Sequence, residues 1–349
     1  MNTDTIFRFN PFIAWLNVNQ ACNLRCKWCY AEHTGYSPEQ EMSLGMAKQL
    51  VELSLEVGVK EFVLIGGEPT LWPHLFELLT FIKKYGTPVS IITNAVRFSD
   101  DGFWERYQDN PANSVGISVK AANREKFNYA TSSKLYNESL LGIERAIDFY
   151  NCGVSAVHNS LLGANGTLEI ARQCKQLGAT SFQLVLCTPT FYDEAVSTDF
   201  VIPPTHIWED LAFLSQNIEY LYGAENVSYD TQMPLCLFPK EFVARKLLGG
   251  KLQSQCHVFS RSGINFDFRG NVLFCNTIAE IVARYGVDFT DAKSLVNFMS
   301  SEQKCDEYRQ VLRYPSKKCR GCIWREDCRG GCLMNWFVYN PDEICRAVE

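Results

Sequence analysis

The sequence predicts a parallel α/β fold followed by a small cysteine-rich domain, on three observations. Strand-like and helix-like segments alternate through the first two-thirds of the 349 residues. That alternation stops near residue 226. Nine of the fifteen cysteines then crowd into what remains. At roughly 100–200 residues per domain the length accommodates two domains, placed at residues 1–225 and 226–349.

The elements follow in order. FIAWLNVN (12–19) alternates apolar and polar as a strand does. Ser43 is placed to cap a helix in which Met46, Leu50, Leu53 and Val57 recur at helical spacing, and Gly58 stops it. EFVLIGG (61–67) is a short apolar strand ending in two glycines. Residues 74–84 read as helix, PVSIITNA (88–95) as strand, 100–108 as helix and SVGISVKA (114–121) as strand. Helices at about 122–129 and 136–150 lead to a strand VSAVHNSLLG (154–163), a helix 167–177 stopped by Gly178, and a sixth strand SFQLVLCTP (181–189). The stretch 189–204 breaks the pattern, and a helix over about 205–221 closes the region. Six strands separated by helices imply parallel pairing with right-handed crossovers. A doubly wound sheet and a barrel-like sheet both satisfy this, and in either the ligands gather at the carboxyl ends of the strands.

Composition narrows the function classes. The chain is 46% hydrophobic and 21% charged, as globular proteins are. A formal charge of −6 and the lack of a long basic run leave no electrostatic footprint for nucleic acid. No apolar stretch approaches the ~18 residues of a membrane span. The opening MNTDTIFRFNPFIAWL lacks the basic and apolar regions of a secretory signal. A cytoplasmic protein is therefore expected. In a reducing compartment, clustered cysteines read as metal ligands rather than disulfides.

ACNLRCKWCY places Cys22, Cys26 and Cys29 at C-x3-C-x2-C spacing, just past the first strand. Thiolates hold iron–sulfur clusters, and a cubane takes four. Three ligands in one loop leave one iron for a substrate or cofactor to chelate. A three-cysteine zinc site with a distant fourth ligand is the alternative that spacing alone leaves open. Directly after the second strand stands Gly66-Gly67-Glu68-Pro69, where glycines permit close backbone approach and exposed backbone polar groups can hold a charged amino acid moiety.

With the aromatic Tyr30 beside the trio and the GGEP turn about forty residues on, the chain resembles the radical S-adenosylmethionine (radical SAM) superfamily over roughly residues 12–190. The resemblance implies a partial (β/α)6 barrel. It implies that Cys22, Cys26 and Cys29 ligate a [4Fe–4S] cluster whose fourth iron is chelated by S-adenosylmethionine, and that the GGEP turn contacts the methionyl amino group. One-electron reduction then cleaves the cofactor to methionine and a 5′-deoxyadenosyl radical, which abstracts hydrogen from substrate. A reducing partner such as flavodoxin or ferredoxin is implied as well.

Polar residues at other strand ends are candidates for the same cavity: Thr93 and Asn94, Ser118 and Lys120, His158 and Asn159, and Cys187. The family's usage maps onto Ser118 and Asn159 for the carboxylate and ribose of S-adenosylmethionine, and Lys120 is placed to pair with that carboxylate or with an acidic substrate. A plain strand-end cap is the alternative for each. Cys187 is a candidate hydrogen donor to a substrate radical.

The C-terminal cysteines run C-x13-G-x4-C from Cys256 through Gly270 to Cys275, then Cys319-x2-Cys322-x5-Cys328-x3-Cys332, then Cys345. The segment INFDFRGNVLFC reads as a β-hairpin turning at Arg269-Gly270-Asn271. This order resembles the SPASM domain, the auxiliary-cluster extension of some radical SAM enzymes. The resemblance implies two further [4Fe–4S] clusters, three in all: an inner one on Cys256, Cys275 and Cys332, and an outer one on Cys319, Cys322, Cys328 and Cys345. After Cys256 the residues HVFSRSG contain no further cysteine, so the inner cluster either keeps an open iron or is closed by Cys236. Such an extension is expected to collapse without iron, because metal binding free energy is folding free energy.

The expected function is radical chemistry on a peptide or small protein, such as a carbon–carbon or thioether crosslink, an oxidation or an epimerisation in the biosynthesis of modified peptides. The same chemistry on a small metabolite is the alternative, and a non-catalytic electron carrier a third. The first strand begins within about twelve residues of the start, which leaves no room before it for a leader-peptide recognition domain.

Overall fold

The computed structural model describes residues 9–31, 36–149, 151–192, 195–254, 261–311, 315–346 and 348. Cys256 lies outside the described residues. The chain resolves into two compact units. The first takes residues 1–23, 30–116 and 257–313, and the second takes 24–29, 117–256 and 314–349.

In the first unit, β1 (Ile13–Asn19) leads to α1 (Leu44–Val57). Ser43 caps this helix by accepting the Met46 N–H at 3.2 Å, and Gly58 ends it in the left-handed conformation at φ +114°. The buried stripe is Ala47, Leu50, Val51, Leu53 and Ser54, rotated from the predicted one, so Met46 and Val57 sit at its margin. Then follow β2 (Glu61–Gly66), α2 (Leu75–Lys83), β3 (Val89–Thr93) and α3 (Asp101–Asp109), the last capped by Asp100 on the Phe103 N–H. β4 (Ser114–Val119) runs from the first unit into the second.

The second unit continues with α4 (Arg124–Thr131), α5 (Tyr136–Phe149), β5 (Cys152–His158), α6 (Gly163–Gln176), β6 (Phe182–Leu186), a short antiparallel hairpin β7 (Thr190–Tyr192) and β8 (Ala195–Ser197), and α7 (Ile207–Tyr222). The alternation does not stop at 226, contrary to expectation. β9 (Val227–Asp230), α8 (Lys240–Leu248) and β10 (Leu252–Gln253) add one more strand–helix–strand step, with β9 parallel to β6 and β10 parallel to β9. Strands of four and two residues are too short to show an alternating pattern. β5 also ends earlier than expected, because the Asn159 side chain turns the chain: its Oδ1 accepts the Leu162 N–H at 3.0 Å and its Nδ2 donates to Val157 O at 2.9 Å.

Back in the first unit, β11 (Gly263–Phe266) pairs parallel with β1, while β12 (Val272–Leu273) and β13 (Ile281–Ala283) extend that edge antiparallel. The hairpin predicted over 264–275 forms between β11 and β12, with Gly270 at φ +85°. α9 (Ala292–Met299) and α10 (Glu302–Val311) close the unit. Within it, β3, β2, β1 and β11 are successive parallel neighbours. Within the second, β5, β6, β9 and β10 are likewise. Fully buried strand residues such as Leu16, Phe62, Leu64 and Ile91 are each worth about 1.5–3 kcal/mol of burial. The result is an α/β fold built on parallel strands. None of the described helices is long and apolar enough to cross a membrane.

Candidate functional site

Two carboxyl ends of parallel strands build the first site. Asn19 at the end of β1 pairs with Gly66 at the end of β2. Beyond them the backbones stay together: Gly67 N–H donates to Asn19 O at 2.9 Å and Glu68 N–H to Ala21 O at 2.7 Å. The approach is so close that only glycine fits. A Cβ on Gly66 would stand 2.2 Å from Asn19 O, and one on Gly67 2.3 Å from Ala21 O. The GGEP turn is thereby locked to the residues that lead directly into Cys22.

Glu68 is the anchor of this turn. Its buried carboxylate accepts Thr70 Oγ1 at 2.7 Å, Thr70 N–H at 3.1 Å, Thr93 Oγ1 at 2.6 Å and Asn94 N–H at 2.8 Å. Burial pushes its carboxyl above the ordinary range, against the pull of these donors. Asn94 passes the constraint on: its Nδ2 donates to Asn23 Oδ1 at 2.7 Å and lies 4.0 Å from Cys22 Sγ. The expected strand-end residues Thr93 and Asn94 thus serve the turn and the cysteine loop.

Cys26 and Cys29 belong to the second unit. Their loop is held to the end of α4 by Arg25 N–H on Thr131 O at 2.8 Å and Lys27 N–H on Ala130 O at 3.0 Å, with Cys29 N–H closing on Cys26 O at 3.0 Å. Leu24 and Trp28 are buried, which fixes the loop from its apolar side.

A cavity of about 330 Å³ opens in the first unit beside the GGEP turn, lined among others by Asn17, Gln20, Tyr30, Gly66, Gly67 and Asn276. Asn17 Nδ2 donates to Asn276 Oδ1 at 3.0 Å. Asn19 Oδ1 and Gln20 Oε1 are buried acceptors with no hydrogen-bond partner. An unpaired buried acceptor costs about 1–3 kcal/mol, and an ammonium group such as the methionyl amine of S-adenosylmethionine carries the donors that would satisfy them. Cys22, Cys26 and Cys29 follow directly in the sequence, and the residues present fit both cofactors. Sequence reasoning missed Asn19 and Gln20, although both stand immediately before the cysteine trio.

The other expected strand-end residues are engaged locally. Lys120 Nζ donates to Ser118 Oγ at 2.7 Å. Asn159 is fully buried, with both ends of its amide used in the turn after β5. His158 bridges Thr167 Oγ1 and Asp210 Oδ2, each at 3.0 Å. Burial pushes the Cys187 thiol up to about 12.

The C-terminal cysteines divide between the units. Cys275, in the first, sits in a turn where Ile278 N–H donates to its sulfur at 3.2 Å, and burial raises its thiol. The rest of the described set lies in the second unit. Cys332 N–H donates to Gln232 O at 2.7 Å. Gly331, at φ +70°, lies so close that a Cβ there would be 2.5 Å from the same oxygen. Cys328 Sγ accepts the N–H groups of Leu235 at 3.3 Å and Gly330 at 3.4 Å, and burial raises its thiol to about 12. Cys345 hydrogen-bonds both Cys236 and Cys319, which lowers those two thiols and raises its own. Among the described residues, no three His, Cys, Asp or Glu side chains gather closely enough to hold a single metal ion.

Comparison with known proteins agrees with this arrangement. Residues 16–169 match the Radical SAM superfamily profile. The AdoMet-dependent heme synthase of Methanosarcina barkeri is 27% identical over 182 residues, 51% of this chain and 51% of its own. A probable GTP 3′,8-cyclase of Methanococcus maripaludis is 27% identical over 169 residues, 47% of this chain and 55% of its own. The matches thus span about half the length of these curated relatives. Among solved structures, Streptococcus suis SuiB bound to precursor peptide SuiA has the same fold, with a TM-score of 0.68 and 16% identity over 95% of this chain and 74% of that one. Native anSMEcpe with bound AdoMet aligns at 0.65 and 19% identity, over 92% of this chain and 89% of that one. With its C-x3-C-x2-C loop and GGEP turn inside it, the segment 16–169 is a radical SAM domain, of a superfamily whose members bind a [4Fe–4S] cluster and S-adenosylmethionine.

Proposed function

We propose that this protein is a radical SAM/SPASM enzyme that oxidises or crosslinks a peptide or small protein, with a radical SAM core at 1–225 and an auxiliary-cluster domain at 226–349. The observation that supports the reading is the run of C-terminal thiols, in which Cys345 hydrogen-bonds Cys236 and Cys319 within the unit that also holds Cys322 and Cys328. Such a set suits an auxiliary iron–sulfur cluster that takes electrons from a substrate radical. SuiB, whose fold is shared over nearly the whole chain, was solved with its precursor peptide, which favours a peptide substrate.

In this reading Cys22, Cys26 and Cys29 hold the first cluster. Asn19 Oδ1 and Gln20 Oε1 accept from the cofactor's amino group. Glu68, through Thr93 and Asn94, keeps the turn and the Cys22 loop in register. The bound cofactor supplies, on one-electron reduction, a radical that abstracts hydrogen from substrate. With its thiol pushed up to about 12, Cys187 holds its proton at neutral pH, as a hydrogen-atom donor must. Ser118 and Lys120 remain candidates for the cofactor's carboxylate and ribose, whereas Asn159 spends its amide on the turn after β5. Cys275 and Cys332, with Cys256, form the inner auxiliary set. A flavodoxin or ferredoxin delivers the electron in the cytoplasm.

A second reading, a small-metabolite substrate, draws on the relatives in sequence, a heme synthase and a probable GTP 3′,8-cyclase. The test is anaerobic purification followed by dithionite reduction with S-adenosylmethionine. The enzyme reading requires release of 5′-deoxyadenosine and about twelve irons per chain, four for each cubane. Peptides encoded beside the gene should then lose two hydrogens by mass spectrometry. Absence of cofactor cleavage identifies an electron carrier instead.

A further inference from the structure

The loop that carries Cys26 and Cys29 has an outer side that the site does not use. Along residues 24–28 the chain alternates: Leu24, Cys26 and Trp28 are buried, while Arg25 and Lys27 are exposed. Main-chain bonds from Arg25 N–H to Thr131 O at 2.8 Å and from Lys27 N–H to Ala130 O at 3.0 Å brace the loop against the end of α4. The Lys27 ammonium lies 4.8 Å from the centroid of the Tyr129 ring, a cation–π distance. Tyr129 itself is 63% exposed, a large aromatic standing in solvent beside a positive charge.

The charge here runs against that of the whole chain. Residues 24–29 and 123–134 hold Arg25, Lys27, Arg124, Lys126 and Lys134 against one acid, Glu125, in a chain of formal charge −6. On α4, Lys126 pairs with Glu169 at 2.8 Å and Arg124 donates to Asn137 at 2.8 Å. Arg25 and Lys27 stand in the loop itself, on either side of Cys26, with Cα atoms about 3.8 Å from its own. A cluster held by Cys26 takes its electron from outside the protein, and here solvent-facing side chains stand one residue from a ligand.

We propose that the outer side of this loop, Arg25 and Lys27 with Tyr129, is the docking surface for a small acidic electron-transfer protein that reduces the cluster. The proposal rests on the reading of Cys22, Cys26 and Cys29 as cluster ligands. Opposite charge steers an acidic carrier to the loop, and Tyr and Arg are residue types that anchor interfaces. A small patch suits the task, since transient electron-transfer complexes bury less than about 1,200 Å². Braced by main-chain bonds, the loop loses little freedom on docking. One electron leaves the carrier and enters the cluster; no bond forms or breaks.

The test uses the full chain with its clusters reconstituted anaerobically, and flavodoxin hydroquinone, freed of dithionite, as the carrier. The paired changes Arg25→Gln with Lys27→Gln, and Arg25→Glu with Lys27→Glu, alter exposed side chains and leave the main-chain bonds in place. Formation of 5′-deoxyadenosine from S-adenosylmethionine is followed with flavodoxin and, separately, with dithionite. The expected result at low salt is a flavodoxin-driven rate about 10-fold lower in the charge-reversed variant and less reduced in the neutral one, with the dithionite-driven rate retained. In the unsubstituted protein the flavodoxin-driven rate should fall as salt screens the pair. Carbodiimide coupling should join a flavodoxin carboxylate to Lys27, read by mass spectrometry without turnover, and it decides the matter should a variant lose its dithionite-driven rate. Unchanged flavodoxin-driven rates in both variants, or crosslinks confined to other lysines, overturn the proposal. Unsubstituted protein that forms no 5′-deoxyadenosine with dithionite overturns the cluster reading instead.

Discussion

The two cysteine regions of this molecule are organised by different means. Around Cys22 the geometry is made by the polypeptide. Two glycines allow backbones to touch, a buried carboxylate collects four donors, and Asn94 carries the constraint to the loop. Around Cys345 the sulfur atoms are themselves the partners, and the elements that carry them are single turns such as Lys317–Gly321, Arg325–Cys328 and Pro341–Ile344. Such turns have little stability of their own. The contrast separates a seat built by buried backbone and carboxylate contacts from a region of short turns joined through their thiols.

The largest expected effect tests that contrast directly. Iron chelation under anaerobic conditions should unfold the C-terminal thiol region, since structural metal binding is worth on the order of 10 kcal/mol in small metal-organised folds. The GGEP turn should keep its protection. Hydrogen exchange on peptides covering 61–70 and 315–346 measures both, and equal loss in the two would break the comparison. Next comes Gly67→Ala, whose Cβ would meet Ala21 O at 2.3 Å. Displacing the turn from the Cys22 loop should lower 5′-deoxyadenosine formation by about 100-fold, the cost of roughly 1 Å of misplacement, with iron content in the C-terminal region unchanged. Glu68→Gln keeps the volume but turns an NH2 toward donors, leaving at least one of Thr70 N–H or Asn94 N–H unpaired. Destabilisation of about 1–3 kcal/mol should appear in urea unfolding, and a neutral outcome would show that the anchor is dispensable.

The smallest effect concerns the sheet that carries the thiol set. Burial lowers the pKa of His158 from 6.5, against the pull of Asp210. A lowered value means the folded state favours the neutral ring. The stability it contributes is present above pH 6.5 and is lost as pH falls through the lowered folded value. Protection of β5 should therefore weaken on acidification below pH 6.5, and His158→Gln should abolish that dependence while β2 is unaffected.

The first region was legible in the sequence because its determinants are close together. The trio lies within one octapeptide followed by an aromatic, and the GGEP turn follows a readable strand. Even so, Asn19 passed as a strand residue and Gln20 went unremarked, since an acceptor left without a donor becomes visible only when burial is known. The second region was legible in its cysteines and obscure in its architecture. The four-residue β9 and two-residue β10 carry too little pattern to announce another strand–helix–strand step. Asn159 was read as a cavity residue because its sequence position marks a strand end, whereas its amide is spent on a turn three residues long. The approach of Cys236 to Cys345 spans 109 residues of sequence and depends on the close pass of Gly331, which spacing does not encode.

The mutual contact of Gly66 and Gly67 with residues 19–21 has a practical corollary. Neither stretch can be varied, or moved to another scaffold, without the other: the pair behaves as one cassette split across two strands. Chimeras that exchange the cysteine loop alone would inherit a mismatched cradle, whereas exchanging both stretches together preserves the fit.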